Sequence, residues 1–259
     1  MSQPYLSLEA EFHDAFWAEE DDASEVALMA DFLKQHPGRS LEIGSGSGRL
    51  LFPLLEQGFD VEGLELSGDM LALCREAAGE KGLDPTLHHG DMSVWHGGGK
   101  YHSLLAPAFT LQLSPDPAAT LAHWRTLLED DGGALYLTVF IPFAELEGDL
   151  EENAWYPDHE ATLPGGRTAK LDTFHQIDPE KQILDRRHRY YFADRPADFH
   201  ESRQTLRWFT LDQMTAHLGA AGFRVARVFA DFDPARPLTC SETDEFGGIL
   251  TFHAVARNR

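Results

Sequence analysis

The chain has 259 residues, 42% hydrophobic and 25% charged, which suits a folded protein with a large core and excludes a disordered or fibrous one. Its formal net charge is −22, from 21 basic and 43 acidic residues, a field that repels phosphate backbones and argues against DNA or RNA as a partner. The two cysteines, Cys74 and Cys240, are too few and too far apart for a disulfide framework or a zinc site.

Met1 to Leu8 lacks a basic stretch followed by an apolar one, so no secretory leader is expected. The longest largely apolar stretch, Leu104–Leu113, is too short to span a bilayer. A cytoplasmic protein without a membrane partner is the expectation.

In chain order, an aromatic cluster comes first: Tyr5, Phe12, Phe16 and Trp17. Val26, Met29, Phe32 and Leu33 predict a helix from about Ser24 to Gln35, ended by Pro37 and Gly38. Ser40–Ile43 reads as a strand, Gly48–Gln57 as a helix, Val61–Glu65 as a second strand, and Ser67 as the cap of a helix stopped by Gly82. Thr86–His89 and Ser103–Pro107 read as strands three and four, Pro117–Leu128 as a helix, and Ala134–Ile141 as strand five. After Pro142 the texture changes. Glu145–Glu152 reads as an exposed acidic segment, and Thr168–Ile177, Gln182–Phe192 and His200–Trp208 as three antiparallel strands. Thr210 and Gln213 form a capping box for a helix ending at Gly222. Phe223–Phe229 and Ile249–Ala256 are the last strands.

The alternation predicts an α/β fold, a doubly wound seven-stranded mostly parallel sheet with an inserted antiparallel β-sheet. Residues 1–36 would form an N-terminal helical segment or lid, 37–145 with 209–259 the core, and 146–208 the insertion. The insertion fits a lid or a homodimer interface equally.

The run Glu42-Ile43-Gly44-Ser45-Gly46-Ser47-Gly48-Arg49 is a strand ending beside an acid, then alternate glycines, then a helix. Glycines let the backbone turn tightly and let a ligand approach it closely, and the helix start offers unpaired N–H groups. A dinucleotide fingerprint wants glycine at the first, third and sixth places; here the sixth place is Arg49. Glu42, Glu65 and Asp91 all fall at or just beyond strand C-termini, the edge where such sheets bind ligands.

This E-x-G-x-G-x-G run resembles motif I of the class I S-adenosylmethionine-dependent methyltransferases. Val61–Leu71, His89-Gly90-Asp91-Met92, Ala220–Phe223 and Phe229–Asp233 extend the resemblance over about residues 10–257. It implies S-adenosylmethionine as cofactor, with Glu42, Gly44 and Gly46 around its methionine portion and ammonium, and Ser45, Gly48 and Arg49 among the other cofactor-binding residues. It implies Glu65 on the ribose hydroxyls, Asp91 on the adenine amino group, Met92 and Leu66 on the ring faces, and Ala106 to Phe109 bordering the transferred methyl, with Ala106 among the cofactor-binding residues. A capping role for Asp91 and a core role for Leu66 stay open.

Leu105-Ala106-Pro107-Ala108-Phe109 has no side-chain acceptor at the first place of the base-methylating loop. Cys74, set in a helix, is not placed as a nucleophile. Neither this segment nor Phe140-Ile141-Pro142 supplies carboxylates for Mg²⁺. Metal-independent methylation of a small-molecule N or O acceptor remains, with a nucleotide-dependent oxidoreductase or a non-catalytic cofactor-binding module as alternatives. Base candidates are His13, His102, His175 and Tyr190; pocket candidates are Phe12, Phe16, Trp17 and Phe109. Arg186, Arg187, Arg189 and Arg207 on the inserted strands read as a solvated sheet face paired with carboxylates, or as a binder of an acidic substrate group.

Overall fold

Every residue of Ser40–Ile43 and of Val61–Glu65 is buried, the pattern of strands covered on both faces. The computed structural model describes residues 5–18, 22–238 and 248–257; Cys240 and Met1 to Pro4 lie outside them. The chain begins with α1 (Leu8–Phe16) and α2 (Asp22–Gln35) and then alternates through β1 (Ser40–Ile43), α3 (Leu51–Glu56), β2 (Val61–Glu65), α4 (Gly68–Lys81), β3 (Leu87–His89) and β4 (Ser103–Ala106). A 3-10 turn at Thr110–Leu113 leads to α5 (Pro117–Leu127), β5 (Ala134–Phe140) and α6 (Phe143–Glu147). Then come β6 (Trp155–Thr162), β7 (Thr168–Asp178), β8 (Ile183–Phe192) and β9 (His200–Arg207), followed by α7 (Leu211–Ala220), β10 (Phe223–Ala230) and β11 (Ile249–Ala256).

The seven-stranded sheet runs β10-β11-β5-β4-β1-β2-β3. Its first five strands pair in parallel, and β11 runs antiparallel to β5 and β10. Side chains of a strand alternate between faces. Leu41 and Ile43 join the core built with Leu121 and Trp124 of α5 and Met214 and Leu218 of α7. Leu105 and Tyr136 join the opposite core, with Met29 and Phe32 of α2, Leu51 and Leu54 of α3 and Cys74 of α4. Glu42 therefore points toward α2. Burial pushes the Cys74 thiol up to about 12, the state of an inert core cysteine. Among the described residues no helix is long and apolar enough to cross a membrane.

The inserted sheet has four strands, β6-β7-β8-β9, where three are expected. The extra one, β6, is an edge strand carrying Pro157 and a register shift between Pro157 and His159, features that hide a strand from pattern reading. The helix expected from Gly48 starts only at Leu51, because Gly48 holds φ +93°, outside the helical region. Glu145, expected in an exposed segment, is buried because it ion-pairs with Arg186 of β8.

One contact fixes the loop after β3. The fully buried Trp124 donates its indole N–H to the Met92 carbonyl at 3.0 Å. Replacing Trp124 with Phe leaves that carbonyl unpaired and should lower stability by about 1–3 kcal/mol, read as a shift in the urea midpoint; an unchanged midpoint would show that the bond contributes nothing.

Candidate active site

β1 and β4 lie side by side while their following segments leave in opposite directions, and a cavity of about 250 Å³ opens over this switch point. Its floor is the glycine turn. Gly44 has φ +76°, and a Cβ there would meet Thr110 Oγ1 at 2.7 Å, so position 44 needs glycine both for its dihedral and for the space. The Gly44 and Ser45 N–H groups donate to the Leu64 carbonyl at 2.7 and 3.1 Å, which ties the turn to β2.

Glu65 ends β2 facing this turn. Its Oε2 accepts from the Gly46 N–H at 3.0 Å and its Oε1 from the Ser67 N–H at 2.7 Å. The carboxylate is thus aimed by backbone donors and keeps lone pairs for a ligand. Leu66, 42% exposed for so large an apolar side chain, Asp91 and Met92 line the same cavity. Asp91 Oδ1 caps its own turn, accepting from the Ser93 N–H at 2.8 Å and hydroxyl at 2.7 Å.

Glu42 also faces the cavity, and its Oε2 is buried without a partner. Burial holds its carboxyl well above the usual range, and the nearby Glu25 and Glu65 charges push it further. Ser45 Oγ is likewise buried and unpartnered. A turn, an oriented diacceptor and an uncompensated carboxylate together fit a ligand with ribose-like hydroxyls and a cationic group.

A second cavity of about 390 Å³ shares Tyr5, His13, Arg49, Ala108 and Leu113 with the first. The two meet at the loop after β4, where Ala108 and Phe109 hold φ +49° and +62°, an uncommon conformation for residues with a Cβ. Trp17, Phe109, Phe140 and Phe232 wall it, and Glu25, 5% exposed, reaches it from α2. Burial raises the Glu25 carboxyl to about 7.

The other expected site residues divide. Ser45, Gly46 and Arg49 line the first cavity, whereas Gly48 packs over Phe52 instead. Of the Ala106–Phe109 segment, Ala106 is fully buried inside β4, whereas Ala108 borders both cavities and Phe109 the second. Trp17 and Phe109 line the second cavity, but Phe12 and Phe16 are core, packed with Ala169, Leu171 and Tyr190. His13 touches both cavities and hydrogen-bonds Asp14 at 2.9 Å. His102 lies at the opposite end of β4, ion-paired with Glu129 at 3.2 Å. Tyr190 is buried and donates to Glu9 at 3.2 Å, and His175 is fully buried; neither lines a cavity. Of the arginines, Arg187 and Arg189 share Glu201 on the sheet face, while Arg186 lines the second cavity.

Tyr5 shows in the sequence only as part of the aromatic cluster, and Glu25 and Gln204 carry no motif. Glu25 still leaves a trace: it stands at the i, i+4, i+7 spacing with Met29 and Phe32, a charge on an apolar stripe.

A family model described as a methyltransferase domain matches residues 41–132. A dTDP-3-amino-3,6-dideoxy-alpha-D-glucopyranose N,N-dimethyltransferase of Streptomyces fradiae is 27% identical over 225 residues, 82% of this chain and 80% of that protein. The fold matches the CcbJ methyltransferase of Streptomyces caelestis with a TM-score of 0.73 at 22% identity, covering 98% of this chain and 100% of that one. It matches S-adenosylmethionine-bound CalS10, an amino pentose methyltransferase from Micromonospora echinaspora, with a TM-score of 0.65 at 21% identity over 99% of each chain. The matched methyltransferase domain begins at the strand that carries the glycine turn and spans every acid-tipped strand end of the first cavity, and the chain is a methyltransferase with S-adenosylmethionine as its methyl donor.

Proposed function

We propose that this enzyme methylates a nitrogen of a small molecule, with the donor in the first cavity and the acceptor in the second. The observation that carries this reading is the junction of the two cavities at Ala108, beside the buried carboxylates Glu42 and Glu25. The names of the Streptomyces fradiae relative and of CalS10, both amino-sugar methyltransferases, support a nitrogen acceptor.

The donor supplies a methyl group already activated on a sulfonium. Glu65 would accept from the ribose hydroxyls, Asp91 from the adenine amino group, and Leu66 and Met92 would flank the ring. Glu42 with the carbonyls of Gly44 and Gly46 would hold the ammonium. Ala108, Phe109 and Tyr5 would border the reacting centre. An in-line displacement then needs chiefly alignment, with the nucleophile about 3–3.5 Å from the methyl carbon, and such positioning supplies roughly 7–11 kcal/mol of a barrier. Residues 37–145 and 209–259 would carry the donor, and α1 with the 146–208 insertion would roof the acceptor and exclude water.

Two variants test the donor site. Glu65→Ala removes both ribose acceptors and should weaken S-adenosylhomocysteine binding by about 1–3 kcal/mol; calorimetry showing unchanged affinity would remove the ribose assignment. Glu42→Gln should have opposite effects on stability and binding. A carboxyl raised by burial destabilises the folded state when it ionises, so its penalty is absent below the ordinary carboxylate range and grows as pH rises toward the folded value. The ligand-free variant should therefore melt above wild type at pH 8, with the difference shrinking at pH 5. Its affinity for S-adenosylmethionine should fall by about 1.5–3 kcal/mol, the worth of a hydrogen bond to a charged group. Equal melting at both pH values would mean that Glu42 carries no strain.

A further inference from the structure

The second cavity names its own occupant, on the assumption that the methyl-transfer reading holds. Trp17, Phe109, Phe140, Phe232, Leu206 and Ile249 make an apolar face on its wall. Among its described lining residues Glu25 is the one carboxylate, and Arg49 and Arg186 are the cations. Arg186 is committed to Glu145, whose side chain is 3% exposed, so drawing the guanidinium away would strand a buried charge. Arg49 stands near Asp14: partial burial works to raise that carboxyl, but the His13 and Ser47 hydrogen bonds and the Arg49 charge hold it below its usual range. A diphosphate needs several donors and cations free to meet it, and here it would also face Glu25. The wall suits an apolar or aromatic body, and its one acid suits a basic nitrogen.

Glu25 is placed to meet that nitrogen. It is nine-tenths buried, reaches the cavity where the loop after β4 enters it, accepts a long 3.5 Å bond from the Ala108 backbone N–H at Oε1, and has the Thr138 side chain as its other hydrogen-bond partner, so its carboxylate keeps acceptor capacity for a cavity ligand. We infer that the acceptor is an aromatic- or apolar-bodied primary or secondary amine carrying no phosphate, and that Glu25 receives its proton. The nitrogen lone pair forms the new N–CH₃ bond, the S–CH₃ bond breaks with its electron pair left on sulfur, and the nitrogen proton passes to the Glu25 carboxylate. Since burial holds Glu25 near 7, it accepts a proton at neutral pH more readily than an exposed glutamate does.

The test uses the full-length chain with saturating S-adenosylmethionine. The acceptors are 2-phenylethylamine, tryptamine and the thymidine-diphosphate amino sugar of the Streptomyces fradiae relative, with product followed by mass spectrometry. At least one arylalkylamine should be methylated, with kcat/KM about 100-fold or more above the nucleotide sugar, the loss expected where a charged group is buried without its partners. E25Q should cut kcat/KM for that amine by about 10²–10⁴, the usual worth of general acid–base help, E25D should recover part of it, and S-adenosylhomocysteine should still bind both variants. Preference for the nucleotide sugar, no reaction with either arylalkylamine, or E25Q activity within a few fold of wild type overturns the inference. Loss of donor binding by the wild-type chain would instead overturn the methyl-transfer reading on which it rests.

Discussion

Glu42 and Glu25 hold two carboxylates within electrostatic reach of each other where water is nearly excluded. Burying one such charge costs stability, and a like charge nearby adds to the cost. The fold gives Glu42 no escape. It sits on a strand paired on both sides, with Leu105 of β4 and Gly63 of β2 beside it, and the alternation that sends Leu41 and Ile43 into one core sends Glu42 into the other. What relieves the strain is a cation, and the methyl donor brings a sulfonium and an ammonium. With the donor placed as proposed, the site would give up ligand-free stability for donor binding, a common exchange where function needs a strained arrangement.

α1 ties that donor site to the inserted sheet. On one side, Ser67 Oγ donates to the Tyr5 carbonyl at 2.5 Å, the Ser7 N–H donates to Asp69 at 2.8 Å, and Ser47 Oγ donates to Asp14 at 2.6 Å. These partners belong to the glycine turn and to the start of α4. On the other side, Phe12 and Phe16 pack into the inserted sheet, and Glu9 accepts from Tyr190 and Gln204 at 3.2 and 3.3 Å. Burial raises the Glu9 carboxyl, so this polar layer is also water-poor. A helix held at both faces brings Tyr5 and His13 to the wall shared by the two cavities.

The donor side of the molecule was legible because its parts are local. A turn that needs positive φ shows itself as glycine, and an acid at a strand end shows itself by position. The acceptor side was not, because its parts are distant in sequence and depend on tertiary pairing. Phe12, Phe16 and Trp17 look alike as a cluster, yet Phe12 and Phe16 on α1 turn into the core, while Trp17, just past the helix end, packs on its edge and lines the cavity. His102 and His13 are equally plain histidines; sheet direction alone puts one at the far edge. Ala106 and Ala108 differ by two residues; Ala106 stays inside β4, and the left-handed turn at Ala108 and Phe109 brings Ala108 to the wall of both cavities. Arg186 and Arg187 are neighbours on β8, and the period of two turns one inward to Glu145 and the other outward to Glu201.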